Sequence, residues 1–175
     1  MVRKIIIALS VFLSLFGCAQ KRYKIDKDQY GEPLLNEKAK YSFTALPTQE
    51  DLNKIDTTAY YVQVFESRYY NEEEKKNPGI IIFHNDGFFR KTSLLAFGKF
   101  DKHRGRNSIA YGGKYKINES EILTERFLPA SQGKTKWYIR RITKGKINNN
   151  KIIFKDKNLI DIFEKKKTLP KIGNQ

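Results

Sequence analysis

From Tyr60 onward the chain is built of short runs in which apolar residues recur at every second position. Between Tyr60 and Glu66, one face carries Tyr60, Val62 and Val64 and the other Tyr61, Gln63 and Phe65. Successive side chains of a strand point to opposite faces, so this period of two predicts a strand, here with both faces fairly apolar. Ile80 to His84 and Phe88 to Leu95 flank Asn85, Asp86 and Gly87, where Asp-Gly supplies the positive backbone angles of a tight hairpin. Glu121 to Leu128 and Lys136 to Lys144 alternate in the same way, and Lys151 to Phe154 with Leu159 to Glu164 forms a last pair.

One pattern is repeated. Ile117 and Asn118, three polar residues and Ile122 are echoed by Ile147 and Asn148, three polar residues and Ile152, at an offset of 30. Each copy predicts a strand ending in Ile, a polar turn opened by Asn, and a return strand. Two hairpins of one meander explain the echo; a solenoid would need more copies.

Ahead of the strands, Pro47 to Lys54 predicts a short helix. Thr48 is its cap, Asp51 completes a capping box, and Glu50 and Asp51 lie in the first turn, where the helix dipole favours acids. Ser67 to Pro78 is strongly charged and predicts a loop. No stretch is long enough for the helical crossovers of a parallel sheet. The expectation is an all-β fold: an antiparallel up-and-down meander of about eight strands after one short N-terminal helix, closed into a barrel or strongly curved. Closure removes the edges a lone sheet exposes, and eight strands leave room for packed side chains or one small ligand. The β domain spans Tyr41 to Glu164, and Lys165 to Gln175 predicts a frayed tail.

The N-terminus has a different pattern. Arg3 and Lys4 precede an apolar run from Ile5 to Phe16, and Gln20, Lys21 and Arg22 follow. As a helix the run rises only about 18 Å, short of a bilayer core of roughly 30 Å, so it predicts an export signal and not an anchor helix. The ending Leu15, Phe16, Gly17, Cys18 resembles the lipobox of bacterial lipoproteins. That resemblance implies a signal peptide over residues 1–17, acylation of Cys18 by a palmitate-like chain, and an exported protein anchored in a cell-envelope membrane. The alternative is an ordinary secretory signal cut near Ala19. Ala19 to Lys40, rich in Lys, Asp and Glu with Gly31 and Pro33, then predicts a flexible tether of about 25 Å typical span. Tyr23, Tyr30, Leu34 and Leu35 could instead dock it on the domain.

The 34 Lys and Arg against 19 Asp and Glu give a formal charge of +15 over 175 residues. Phosphate binding is one use of such a balance, but export argues against nucleic acid and toward polyanionic envelope surfaces. Cys18 is the one cysteine, so no internal disulfide forms. The two histidines, His84 and His103, lack partners at metal-ligand spacing, and no nucleophile elbow, phosphate loop or dinucleotide fingerprint is present. No metal, cofactor or enzymatic activity is expected.

The lipobox, the helix before the strands, and the meander Gly113 to Phe127 resemble the lipocalin-like lipoproteins of bacterial envelopes, although the first-strand Gly-x-Trp signature is missing. The resemblance implies a small apolar or amphipathic ligand. An acidic head would suit an interior with Tyr60, Tyr115, Arg126, Trp137 and Arg141. Lys102, His103, Arg104 and Arg106, around Gly105, form a basic loop that is a second candidate for an anion. The alternative to a ligand carrier is a filled barrel presenting its outer surface to an envelope protein or polysaccharide.

Overall fold

The computed structural model describes residues 20–66, 69–99, 104–132, 135–156 and 159–169. The signal and lipobox, including Cys18, lie outside them, as do Lys102, His103 and the last six residues of the predicted tail.

Eight strands form a closed antiparallel up-and-down barrel: β4 (Tyr60–Val64), β5 (Gly79–Phe83), β6 (Phe88–Ser93), β7 (Gly112–Asn118), β8 (Glu121–Pro129), β9 (Trp137–Asn148), β10 (Lys151–Asp156) and β11 (Leu159–Lys166). The ring closes where Ile162–Lys166 of β11 pairs with Tyr60–Val64 of β4. The barrel thus uses Lys165 and Lys166, which the sequence assigns to a frayed tail. A ninth strand of the same sheet, β1 (Arg22–Lys24), lies outside the ring on β9, and β2 (Asp26–Lys27) pairs with β3 (Pro33–Leu34) in a separate hairpin.

Local chemistry sets the turns. In the β5–β6 hairpin Gly87 takes φ +79°, and the His84 N–H donates to the Phe88 carbonyl at 2.9 Å. The two echoed motifs are the β7–β8 and β9–β10 turns, with φ +54° at Glu119 and +53° at Asn149, so identical spacing gives the same turn twice. The helix α1 (Gln49–Lys54) carries the capping box expected at Thr48 and Asp51. Two further short helices depart from the sequence reading. Within the expected loop, Asn71 caps α2 (Glu72–Lys76) through a second capping box. α3 (Leu94–Lys99) follows β6, ending that strand two residues early.

Alternation is resolved by closure. Tyr61, Ile81, Phe83, Phe89, Tyr115, Ile122, Ile152, Phe154 and Phe163 fill the interior with rings in edge contact, Phe83 lying 5.3 Å from Tyr61 and 5.1 Å from Tyr115. Ile55, just after α1, joins this cluster and closes one end. The close approach of β6, β7 and β8 depends on glycine. A Cβ on Gly113 would fall 1.9 Å from the Glu125 carbonyl oxygen, and one on Gly112 2.1 Å from that of Phe89.

A second cluster lies on the outer side of the barrel. Tyr23, Ile25, Ala39 and Ile109 pack on Phe127 and Tyr138 of β8 and β9, flanked by Leu35 and Tyr41. The stretch expected as a tether is therefore packed as a strap, the docked alternative, from residue 22 to about residue 43. Its key polar contact is Glu125, fully enclosed on the outer face of β8. The carboxylate accepts the Ser42 N–H at 2.8 Å and the Phe43 N–H at 2.9 Å, and faces Arg140 at 3.5 Å. Removing a buried charged acceptor from two amides and a guanidinium costs about 3 kcal/mol. Glu125→Ala is expected to lower the unfolding temperature and open residues 20–44 to limited proteolysis while the barrel remains resistant; Glu125→Gln, which keeps an acceptor oxygen, should do so less.

Candidate functional site

The end of the barrel opposite α1 is open, because β9 is too long for one partner. Its last residues, Gly145–Asn148, pair with β10, whereas Trp137–Ile139 pair with β1. Between these two pairings β9 and β10 part, and Lys155 and Asp156 of β10 have no partner on β9. The Arg141 guanidinium and Asp156 carboxylate bridge this gap by an ion pair.

Behind the pair lies a cavity of about 150 Å³. Ile81, Phe89 and Phe154 make its apolar floor, Thr124 and Thr143 its polar wall, and Lys91, Arg126, Arg141, Asp156 and Asp161 its charged lining, with Leu128 and Leu159 toward the opening. An apolar cavity near this size holds a benzene-sized molecule, so this space takes a small head group but not a whole drug-sized ligand.

Two of its cations have no carboxylate of their own among the described residues. Lys91 lies over the rings of Phe163 at 5.4 Å and Phe154 at 6.0 Å. Burial, with Arg126 and Arg141 nearby, pushes the Lys91 amine below its ordinary range; Asp161 opposes that. The Arg126 side chain makes no hydrogen bond within the described residues; its Nε is enclosed without an acceptor, and burial pushes the guanidinium down as well. Asp161 accepts a long bond from the Gln63 amide at 3.5 Å. The cavity is thus a partly dry space with more positive than negative charge, a place for a carboxylate or phosphate group.

Of the residues expected to contact a ligand, Arg126 and Arg141 line the cavity. Tyr115 lies inside the barrel but in the packed interior, where its hydroxyl donates to the His84 carbonyl at 2.7 Å. Tyr60 belongs to the outer set of β4 and meets Phe97 edge to face at 6.0 Å. Trp137 is at the rim, on the same face of β9 as Arg141, and is 49% exposed. Lys91 is absent from the expected set. It shares its strand face with the buried Phe89, which marks it as inward.

The two described cations of the basic loop are engaged elsewhere. Arg104 pairs with Glu32 of the strap at 3.2 Å, and Arg106 with Asp86. His84 shares a 2.7 Å hydrogen bond with the Tyr111 hydroxyl, and burial, reinforced by Arg106 and Arg90, holds its imidazole below the ordinary range. Among the described residues no cluster of three metal-ligating side chains occurs, and no helix is long and apolar enough to cross a membrane. Comparison with protein-family models, curated proteins and solved structures finds no match.

Partly desolvated cations without counter-charges oppose folding. Replacing Lys91 or Arg126 by Met is therefore expected to stabilise the empty barrel by about 1 kcal/mol, solvent at the opening keeping the gain small. For a domain of this size that is a rise of roughly 2–4 °C in unfolding temperature, read by calorimetry at pH 7.

Proposed function

We propose that the chain is an exported, membrane-anchored envelope lipoprotein, without enzymatic activity, whose barrel binds a small apolar or amphipathic molecule through an anionic group. The observation that carries the binding part of this reading is the pair Lys91 and Arg126, turned into the cavity without a carboxylate of their own among the described residues, while the lipoprotein part rests on the motif ending at Cys18. The cost of burying unpaired cations is recovered when an anion arrives, and charge-assisted bonds to a guanidinium are strong in a drier site. An apolar floor of Ile81, Phe89 and Phe154 suits a short hydrocarbon or ring attached to that anion.

The packed aromatic interior beneath the cavity supports a second reading, a filled barrel whose outer surface meets an envelope protein or polysaccharide. Native mass spectrometry of the protein purified gently from the exported fraction separates the two. A reproducible extra mass, lost on organic extraction and missing from Lys91→Met/Arg126→Met, is expected of the ligand carrier. A bare mass, together with no thermal shift from millimolar hexanoate, benzoate or phosphate, would reject it, since a ligand binding only the native state raises stability by mass action.

Membrane attachment is tested separately at Cys18. Acylated wild type should sediment with membranes, and Cys18→Ala should be released or remain unprocessed. Identical processing and fractionation of both would exclude the lipoprotein reading.

A further inference from the structure

We infer that the open end of the barrel, along the β1–β9 edge, is a docking surface for an anionic lipid bilayer. Seven large apolar side chains are exposed among the described residues, and four of them, Tyr69, Leu95, Trp137 and Leu159, sit at the open end or on the connections that frame it. Trp137 and Leu159, 49% and 56% exposed, stand on the two sides of the opening beside the split between β9 and β10. Aromatic and aliphatic side chains gathered at one end of an otherwise charged protein are the features that enter a membrane interface.

Charge selects the partner. Strands in register turn opposite residues to the same face, so Arg22 beside Ile139 and Lys24 beside Trp137 lie on the face of β9 that leads down to Arg141 and the cavity. Lys136 and Lys155 are exposed on the same side of the opening. None of these four cations has an ion pair with a carboxylate among the described residues. Of the acids at this end, Asp156 and Asp161 line the cavity, with Asp156 held by Arg141, and the exposed Asp26 beyond Lys24 is offset by its exposed neighbour Lys27. Across the opening, α2 pairs Glu72 with Lys75 and Glu73 with Lys76, while its third acid, Glu74, accepts the Asn71 N–H of the capping box. The uncompensated charge therefore lies beside Trp137, where each cation near an anionic membrane adds attraction.

The path of the chain agrees. β1 fixes the strap to β9 at Arg22, and Cys18 is four residues earlier, so at most about 15 Å of backbone separates it from this edge. This last point rests on the lipoprotein reading; the surface itself does not, and the test omits the lipid.

Trp137 is the chain's one tryptophan, so its emission reports on the proposed contact alone. Residues 20–175 retain every strand and both clusters and serve as the soluble form. With vesicles of phosphatidylcholine containing a third phosphatidylglycerol, the emission is expected to shift to the blue, the protein to float with the vesicles, and both effects to weaken in 0.5 M salt. Arg22→Glu/Lys24→Glu should weaken partitioning at least tenfold, since each cation lost at an anionic surface costs about fivefold in affinity. Leu159→Ser should weaken it too, with the unfolding temperature unchanged in each case because the replaced side chains are exposed. Lys146→Glu, near the α1 end, should partition like the wild type. The inference is overturned if neutral and anionic vesicles bind alike, if Trp137 emission does not move, or if Lys146→Glu is as damaging as the change at Arg22 and Lys24.

Discussion

Closure of the sheet between β11 and β4 is the constraint on which the rest of this structure depends. Until Ile162–Lys166 pairs with Tyr60–Val64, each strand has two alternating faces and neither is inside. Once the ring is joined, one set from every strand is committed to a dry interior and backbone donors and acceptors along both former edges are satisfied. The aromatic interior, the cavity and the outer strap follow from that one commitment.

The cavity arises because the ring is imperfect. β9 leaves β10 and takes β1 as its partner, so the wall flares and the interior opens where Lys91, Arg126 and Arg141 project. A perfectly matched β9 and β10 would continue the packing of Phe89 and Phe154 to the rim. Instead the interior ends there in a charged space, at a cost in stability from its desolvated cations.

The outer strap solves a different problem. β8 presents Phe127 and Glu125 away from the interior, one apolar and one charged, and neither suits a solvated face beside the other. Residues from the strap cover both, satisfying Glu125 with the amides of Ser42 and Phe43 while Tyr23 meets Phe127 edge to face at 5.2 Å. Coverage also fixes Arg22–Lys24 to the β9 edge, so the segment that reads as a leash is part of the fold.

The chain itself determined what short-range chemistry can determine. Alternation marked the strands, Asp86 and Gly87 the first hairpin, the repeated Ile-Asn pattern the two matching turns, and Thr48 with Asp51 the helix start, because each depends on residues a few positions apart. Arg126 and Arg141 were legible as candidates for the cavity, and Lys91 was legible only through the parity it shares with Phe89. Tertiary structure decided what depends on distant partners: which strand faces turn inward, that Glu125 meets amides more than eighty positions away, and that Arg104 and Arg106 are spent on Glu32 and Asp86. A strand's period of two records that its faces differ, but which face becomes the interior is set only when the ring closes.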